Sequence, residues 1–189
     1  MLRLDLTGGL GDRARELAVA GFASLWQGRA LDVGAQPGLI AALVASGRCE
    51  TDGEDLVGIH GLTLRLTRHR FVHDDVTHHT WCAFDAVAIP VALGLDAVAS
   101  TTCRACGGGI EVVVRSGVPT GGSDLVLWLP DPNGEHLMDS FCAVADLYCS
   151  HEHLRQQVDA HASGRAVDLE RAAAFGRETW SDVADLDLR

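Results

Sequence analysis

Residues 81–93 read Trp-Cys-Ala-Phe-Asp-Ala-Val-Ala-Ile-Pro-Val-Ala-Leu. A helix of that content has no polar face to turn to water, so it is expected to be largely buried. Thr80 is its expected hydroxyl cap and Pro90 its expected point of distortion. Cys82 and Asp85 stand at i and i+3 and so share one helical face, close enough to act on the same bound atom. In the first turn the helix dipole is expected to lower the Cys82 pKa and favour the thiolate. The apolar setting of Phe84, Val87 and Ile89 is expected to raise that of Asp85, so that it holds a proton near neutral pH. The plainer alternative is packing, because cysteine is among the most buried residue types.

The rest of the chain mixes helix and strand without regular alternation, which points to an α+β fold. Residues 12–27 carry Leu17, Ala20, Phe22, Leu25 and Trp26 at helical spacing, and 37–46 form a second expected helix between Pro37 and Gly47. After the turn cluster at 51–55, the alternating Leu62, Leu64 and Leu66 suggest a strand. Two helices followed by short strands resemble a degenerate winged-helix unit, giving expected regions of 1–67 (helical) and 68–189 (a β-rich core). Within the core, 65–76 reads as strand and turn, 110–114 and 125–129 as strands joined by a turn over 117–123, and 167–180 as a helix. Residues 141–148 fit either strand or helix.

Of the 189 residues, 47% are hydrophobic and 22% charged, as in an ordinary globular domain with a sizeable core. The net charge of -11 works against phosphate backbones, and a transcriptional regulator is disfavoured on that ground. All 15 basic side chains are Arg, so lysine Schiff-base chemistry is excluded. No membrane span or signal peptide is read from the sequence, and the expected location is the cytoplasm. There, six cysteines are metal-binding, catalytic or buried more often than paired.

A second fragment, Ser140-Phe141-Cys142, follows an acidic loop over 131–139 and re-enters the core. Two thiolates on separate elements can chelate a soft two-coordinate ion such as Hg(II) or Cu(I). Spacing alone leaves two independent core cysteines as the other reading.

These fragments together resemble the organomercurial (alkylmercury) lyases. The match runs through Gly61-Leu62-Thr63-Leu64-Arg65, Trp81-Cys82-Ala83-Phe84-Asp85, Ser100-Thr101-Thr102-Cys103, Ser140-Phe141-Cys142, and Phe175-Gly176 before Trp180, in order from about Val57 to Trp180. The resemblance implies a catalytic core of the alkylmercury-lyase type, in which Cys82 is the first mercury-binding thiol, Cys142 the second, and Asp85 the proton-handling carboxylate. It implies protonolysis of R–Hg–X to R–H and Hg(II), with no organic cofactor, Hg(II) as bound product and free thiols as co-reactants. The implied partners are a small organomercurial substrate and, as mercury acceptor, cellular thiols or a mercuric-ion reductase, without nucleic acid or membrane. A soft-metal binding or transfer protein (Hg(II), Cu(I) or Zn) on the same fold, or a relative recruited to another reaction, is the alternative.

The chain departs from the family pattern at three places: an N-terminal region shorter than the family's, with little left for the middle helix of a three-helix unit, and two differences among the cysteines. Where members often carry a second Cys after Ser-Phe-Cys, this chain has Ala143-Val144-Ala145-Asp146; and Cys106 makes a Cys-x-x-Cys pair with Cys103. Such a pair is often redox-active or metal-ligating. Zinc would need two more ligands, from Cys142 with Cys149 or from His151 and His153, at a spacing unlike a usual zinc ribbon. Auxiliary mercury capture, or inert packing, therefore ranks first for Cys103 and Cys106. His78, His79, His151 and His153 read as exposed loop or helix-surface histidines, Cys49 as a bystander, and the acidic run 182–187 as a solvated end.

Overall fold

The computed structural model describes residues 4–7, 9–120, 122–131, 136–159, 162–184, 186 and 188. The chain begins with α1 (Asp12–Trp26), β1 (Leu31–Asp32), α2 (Pro37–Ala45) and a hairpin of β2 (Cys49–Asp52) and β3 (Asp55–Ile59). It continues through β4 (Leu62–Thr63), β5 (Arg70–His73), β6 (Val76–Thr80), α3 (Ala83–Ala92), β7 (Ala97–Thr102), β8 (Gly109–Arg115) and β9 (Val118–Thr120). The last third comprises β10 (Val126–Pro130), a π-helical segment (Met138–Cys142), β11 (Asp146–Tyr148), α4 (His151–Gln157), β12 (Gly164–Val167) and α5 (Leu169–Thr179). The fold is α+β.

One antiparallel sheet runs in the order β1-β3-β4-β6-β5-β7-β8-β9, with β2 beside β3; a second has the order β11-β10-β12. The β5–β6 hairpin closes through Asp74 and Asp75, both at positive φ (47° and 63°), the two-residue geometry that matches the twist of its strands. The stretch 117–123 is more than the expected turn: β9 folds back on β8 there, and 125–129 opens the second sheet instead of continuing the first. The expected strand through Leu66 stops at Thr63, leaving Leu66 on the surface. The two N-terminal helices and the hairpin are present. No third helix precedes the hairpin among the described residues, and β3 continues through β4 into the main sheet.

The apolar helix α3 is the hub. Every residue from Ala83 to Val91 is buried, because the helix packs against strands of both sheets and against α5. Pro90 sits within it without ending it. Phe84 meets Phe141 edge-on (5.9 Å), stacks on Phe175 (5.1 Å) and tilts against Trp180 (5.4 Å), clamping the first turn of α3 to the π-helical segment and to the chain's end. At the α3–α5 crossing, a Cβ added to Gly176 would lie 2.7 Å from that of Ala88. Gly176→Ala is therefore expected to cost stability: overpacking of about 1–3 kcal/mol outweighs a helix-propensity gain of at most about 1 kcal/mol. Chemical denaturation showing a variant as stable as the parent would contradict that packing.

Candidate active site

Cys82 and Asp85 come from the start of α3, and Cys142 ends the π-helical segment. One ligand atom from each lies within 4.8 Å of the others. The widened turn is closed by the Ala143 N–H donating to the Met138 carbonyl (2.8 Å), five residues back. Such a π-turn re-aims the side chain at its end, and Phe141, buried against Phe84, fixes it there. Cys82 is itself the N-cap of α3, and its N–H donates to Asp85 Oδ2 (3.2 Å), which holds the carboxylate beside the thiol. Thr80 is not the cap: it ends β6, and its hydroxyl donates to the Cys82 carbonyl (3.1 Å).

Burial governs the electrostatics. Cys82 is 0% exposed, Asp85 3% and Cys142 8%. Desolvation pushes Asp85 up to about 7, against hydrogen bonds from Cys82 that pull the other way. Desolvation, then the hydrogen bond to Cys142 and the charge of Asp85, raise Cys82 well above the usual thiol range. The expected lowering of Cys82 is thus overturned. A helix terminus contributes about 0.3–1 kcal/mol at the surface, less than the penalty for ionising a thiol in an apolar interior beside a carboxylate. For Cys142 the hydrogen bond from Cys82 favours the thiolate, but burial and Asp85 outweigh it and the pKa is raised. Both thiols therefore keep their protons until a thiophilic centre competes for the sulfur, with a carboxylate poised near neutrality to take one.

Further residues complete the surroundings. Gly61, at φ +86°, lies so close that an added Cβ would fall 3.0 Å from Asp85 Cγ and 3.1 Å from the Trp180 ring. Its carbonyl accepts the Trp81 N–H (3.0 Å). The Trp180 indole donates to the His60 carbonyl (2.8 Å), tying the end of the chain under the site. Glu50 accepts from the Trp81 indole (2.7 Å) and adds a charge that opposes ionisation of Cys142. Gly61 belongs to the 61–65 motif, whereas Glu50, far upstream, carries no sequence signal.

Cys103 and Cys106 do not join this trio. They gather with Cys149 and His153 in a second cluster whose ligand atoms also lie within 4.8 Å of one another, and all six cysteines are free thiols. Cys49 belongs to neither cluster; burial pushes its thiol up to about 11. His78 is not a loop histidine. It is buried on β6, stacked on Trp26 (4.2 Å) and Phe71 (4.9 Å), and desolvation holds it down near 4, a neutral packing ring. In the acidic run 182–187, Asp182 pairs with His60 (3.2 Å), while Asp185 and Asp187 lie outside the described residues.

An α+β core that brings two buried thiols and a carboxyl group together at the start of its central helix presents a thiol–carboxylate donor set of the kind that suits a soft metal centre. The family model for alkylmercury lyase matches residues 62–181, and the chain belongs to that family. It is 27% identical over 125 residues to the alkylmercury lyase of Bacillus cereus (65% of this chain, 57% of the relative). It is 29% identical over 126 residues to that of Pseudomonas putida (65% and 58%). The chain thus matches somewhat over half the length of these curated relatives. A solved structure, the mercury-bound form of MerB2, superposes with a TM-score of 0.83 over 94% of this chain and 95% of its own, at 22% identity, and shares the fold. No helix among the described residues is long and apolar enough to cross a membrane.

Proposed function

We propose that this protein is a carbon–mercury lyase that cleaves small organomercurials by protonolysis, with Cys82 and Cys142 as mercury ligands and Asp85 as proton carrier. The observation that carries the reading is the convergence of two buried thiols and one carboxyl group, raised to about 7, within 4.8 Å. Family membership supports a lyase over a protein that only holds metal, as does an acid placed where mere chelation has no use for one.

In the proposed sequence R–Hg–X loses X to the first thiol, whose proton leaves with it as HX. The second thiol passes its proton to Asp85 as its sulfur closes on mercury. Two sulfur donors raise the electron density on mercury and weaken its bond to carbon. Asp85 then protonates the departing carbon, giving R–H, the regenerated carboxylate and a bis-thiolate Hg(II), so that both thiol protons end in HX and R–H. The general-acid step is worth about 10²–10⁴-fold. Cys142, the more exposed thiol, is where free thiols or the cysteines of a mercuric-ion reductase would draw off the product. Residues 68–189 carry the trio in this reading, 1–67 pack on them, no organic cofactor is needed, and the excess thiol suits a reducing cytoplasm.

Purified protein given phenylmercury under excess thiol is expected to release benzene with multiple turnovers. Stoichiometric binding of mercury without benzene would overturn the assignment.

A further inference from the structure

We propose that Cys103, Cys106, Cys149 and His153 form a structural zinc site that ties the β7–β8 turn to the start of α4. The metal-ligating groups of these residues lie within 4.8 Å of one another, with Cys106 Sγ 3.9 Å from Cys149 Sγ and Cys103 Sγ 3.6 Å from His153 Nδ1. Tetrahedral zinc with Zn–S about 2.3 Å and Zn–N about 2.0–2.1 Å requires sulfurs about 3.8 Å apart and S···N about 3.6 Å. The two separations of 3.9 and 3.6 Å match those values, and the remaining pairs lie within 4.8 Å.

The backbone supports the same reading. Cys103 and Cys106 sit in a tight turn closed by the Cys103 N–H donating to the Gly108 carbonyl (2.8 Å) and the Gly107 N–H to the Cys103 carbonyl (2.8 Å), with Gly107 at φ +71°. The Gly108 N–H donates to Cys106 Sγ (3.4 Å), holding that side chain within the turn. The other half is equally ordered: Cys149 follows β11, Ser150 caps α4 by accepting the His153 N–H (3.2 Å), and that cap sets the imidazole one turn in. Cys106 is exposed and Cys149 and His153 half-buried, which leaves a path for the ion. The three thiols release three protons on binding and no electrons move.

Three sulfurs and one imidazole make a four-coordinate donor set suited to a borderline ion, whereas the Cys82–Cys142 pair suits a two-coordinate soft one. The spacing that argued against a zinc ribbon concerned chain separation. The tertiary fold supplies the second pair of ligands from the end of β11 and the first turn of α4. The proposal does not depend on the lyase reading.

The test is metal analysis of the full chain purified without mercury. One zinc per chain is expected, retained in the double variant Cys82→Ser/Cys142→Ser and absent from Cys106→Ser. Stripping the parent with a chelator is expected to lower its Tm, with recovery on adding zinc. Cobalt(II) put in its place is expected to give the visible bands of a tetrahedral site and sulfur-to-metal charge transfer. The chelation and cobalt measurements hold even where a variant fails to fold. Protein that neither contains nor takes up zinc, zinc lost from the Cys82/Cys142 variant but kept in Cys106→Ser, or a Cys106–Cys149 disulfide in protein kept reduced would each overturn the site.

Discussion

Cys82→Ser is expected to release no detectable hydrocarbon from phenylmercury, a loss of the size seen on removing a nucleophile, on the order of 10⁴–10⁶-fold. A hydroxyl is a poor ligand for a soft ion, so the variant keeps one good sulfur, Cys142, where the reaction needs two. The loss belongs to chemistry because Ser fits the same space: Cys82 is fully buried, and its structural bond is made by its backbone N–H to Asp85, which serine retains. A normal unfolding transition beside absent turnover is the expected pair of measurements. Turnover within about tenfold of the parent, far inside that expected range, would remove Cys82 from the mechanism.

Asp85→Asn is expected to slow protonolysis by about 10²–10⁴-fold while leaving mercury binding in place, since both sulfurs remain. The amide oxygen can still accept the Cys82 N–H, so the start of α3 should hold. The parent's kcat/KM is expected to rise with pH through about 7, where Asp85 becomes a carboxylate able to take a thiol proton. That limb should vanish in the variant. Stability offers an independent check. The folded protein keeps the Asp85 proton up to about 7, whereas the unfolded chain releases it near 3.8, so between those values the folded state binds more protons. Stability therefore falls as pH rises across that window, by about 4 kcal/mol in all for a carboxyl this deeply buried. Asp85→Asn should remove that slope, and an unchanged stability–pH curve would show that Asp85 ionises normally.

Much of the framework was legible because the signals were local. The apolar run 81–93 had to be a buried helix, and residues 12–27, 37–46 and 167–180 showed helical periodicity that α1, α2 and α5 bear out. The strand β7 escaped notice because Ala97, Ala99 and Thr101, its inward residues, are small where strands are usually recognised by bulk. They are small because α3 packs against them. The short strands β1 and β12 likewise form only because an existing edge receives them.

At the site, sequence placed Cys82 beside Asp85, because helical spacing alone puts i and i+3 on one face, and it offered Cys142 as a third member. The expected lowering of Cys82 does not hold, since burial beside a carboxylate outweighs what a helix terminus offers a thiol. Cys103 and Cys106 show the same divide. Their Cys-x-x-Cys spacing was visible, yet Cys149 and His153 became their neighbours only through the packing of β11 and α4 beside the β7–β8 turn.

By itself the sequence determined the buried central helix, the thiol and acid on one of its faces, and the family those motifs resemble. Only the tertiary structure decided which cysteines share a centre: a π-turn and an aromatic clamp bring Cys142 to Cys82, and the other thiols collect apart. Periodicity within one helix is a property of neighbouring residues. Convergence of side chains far apart in the chain depends on how whole elements pack, and desolvation, which sets their proton affinities, exists only once that packing is complete.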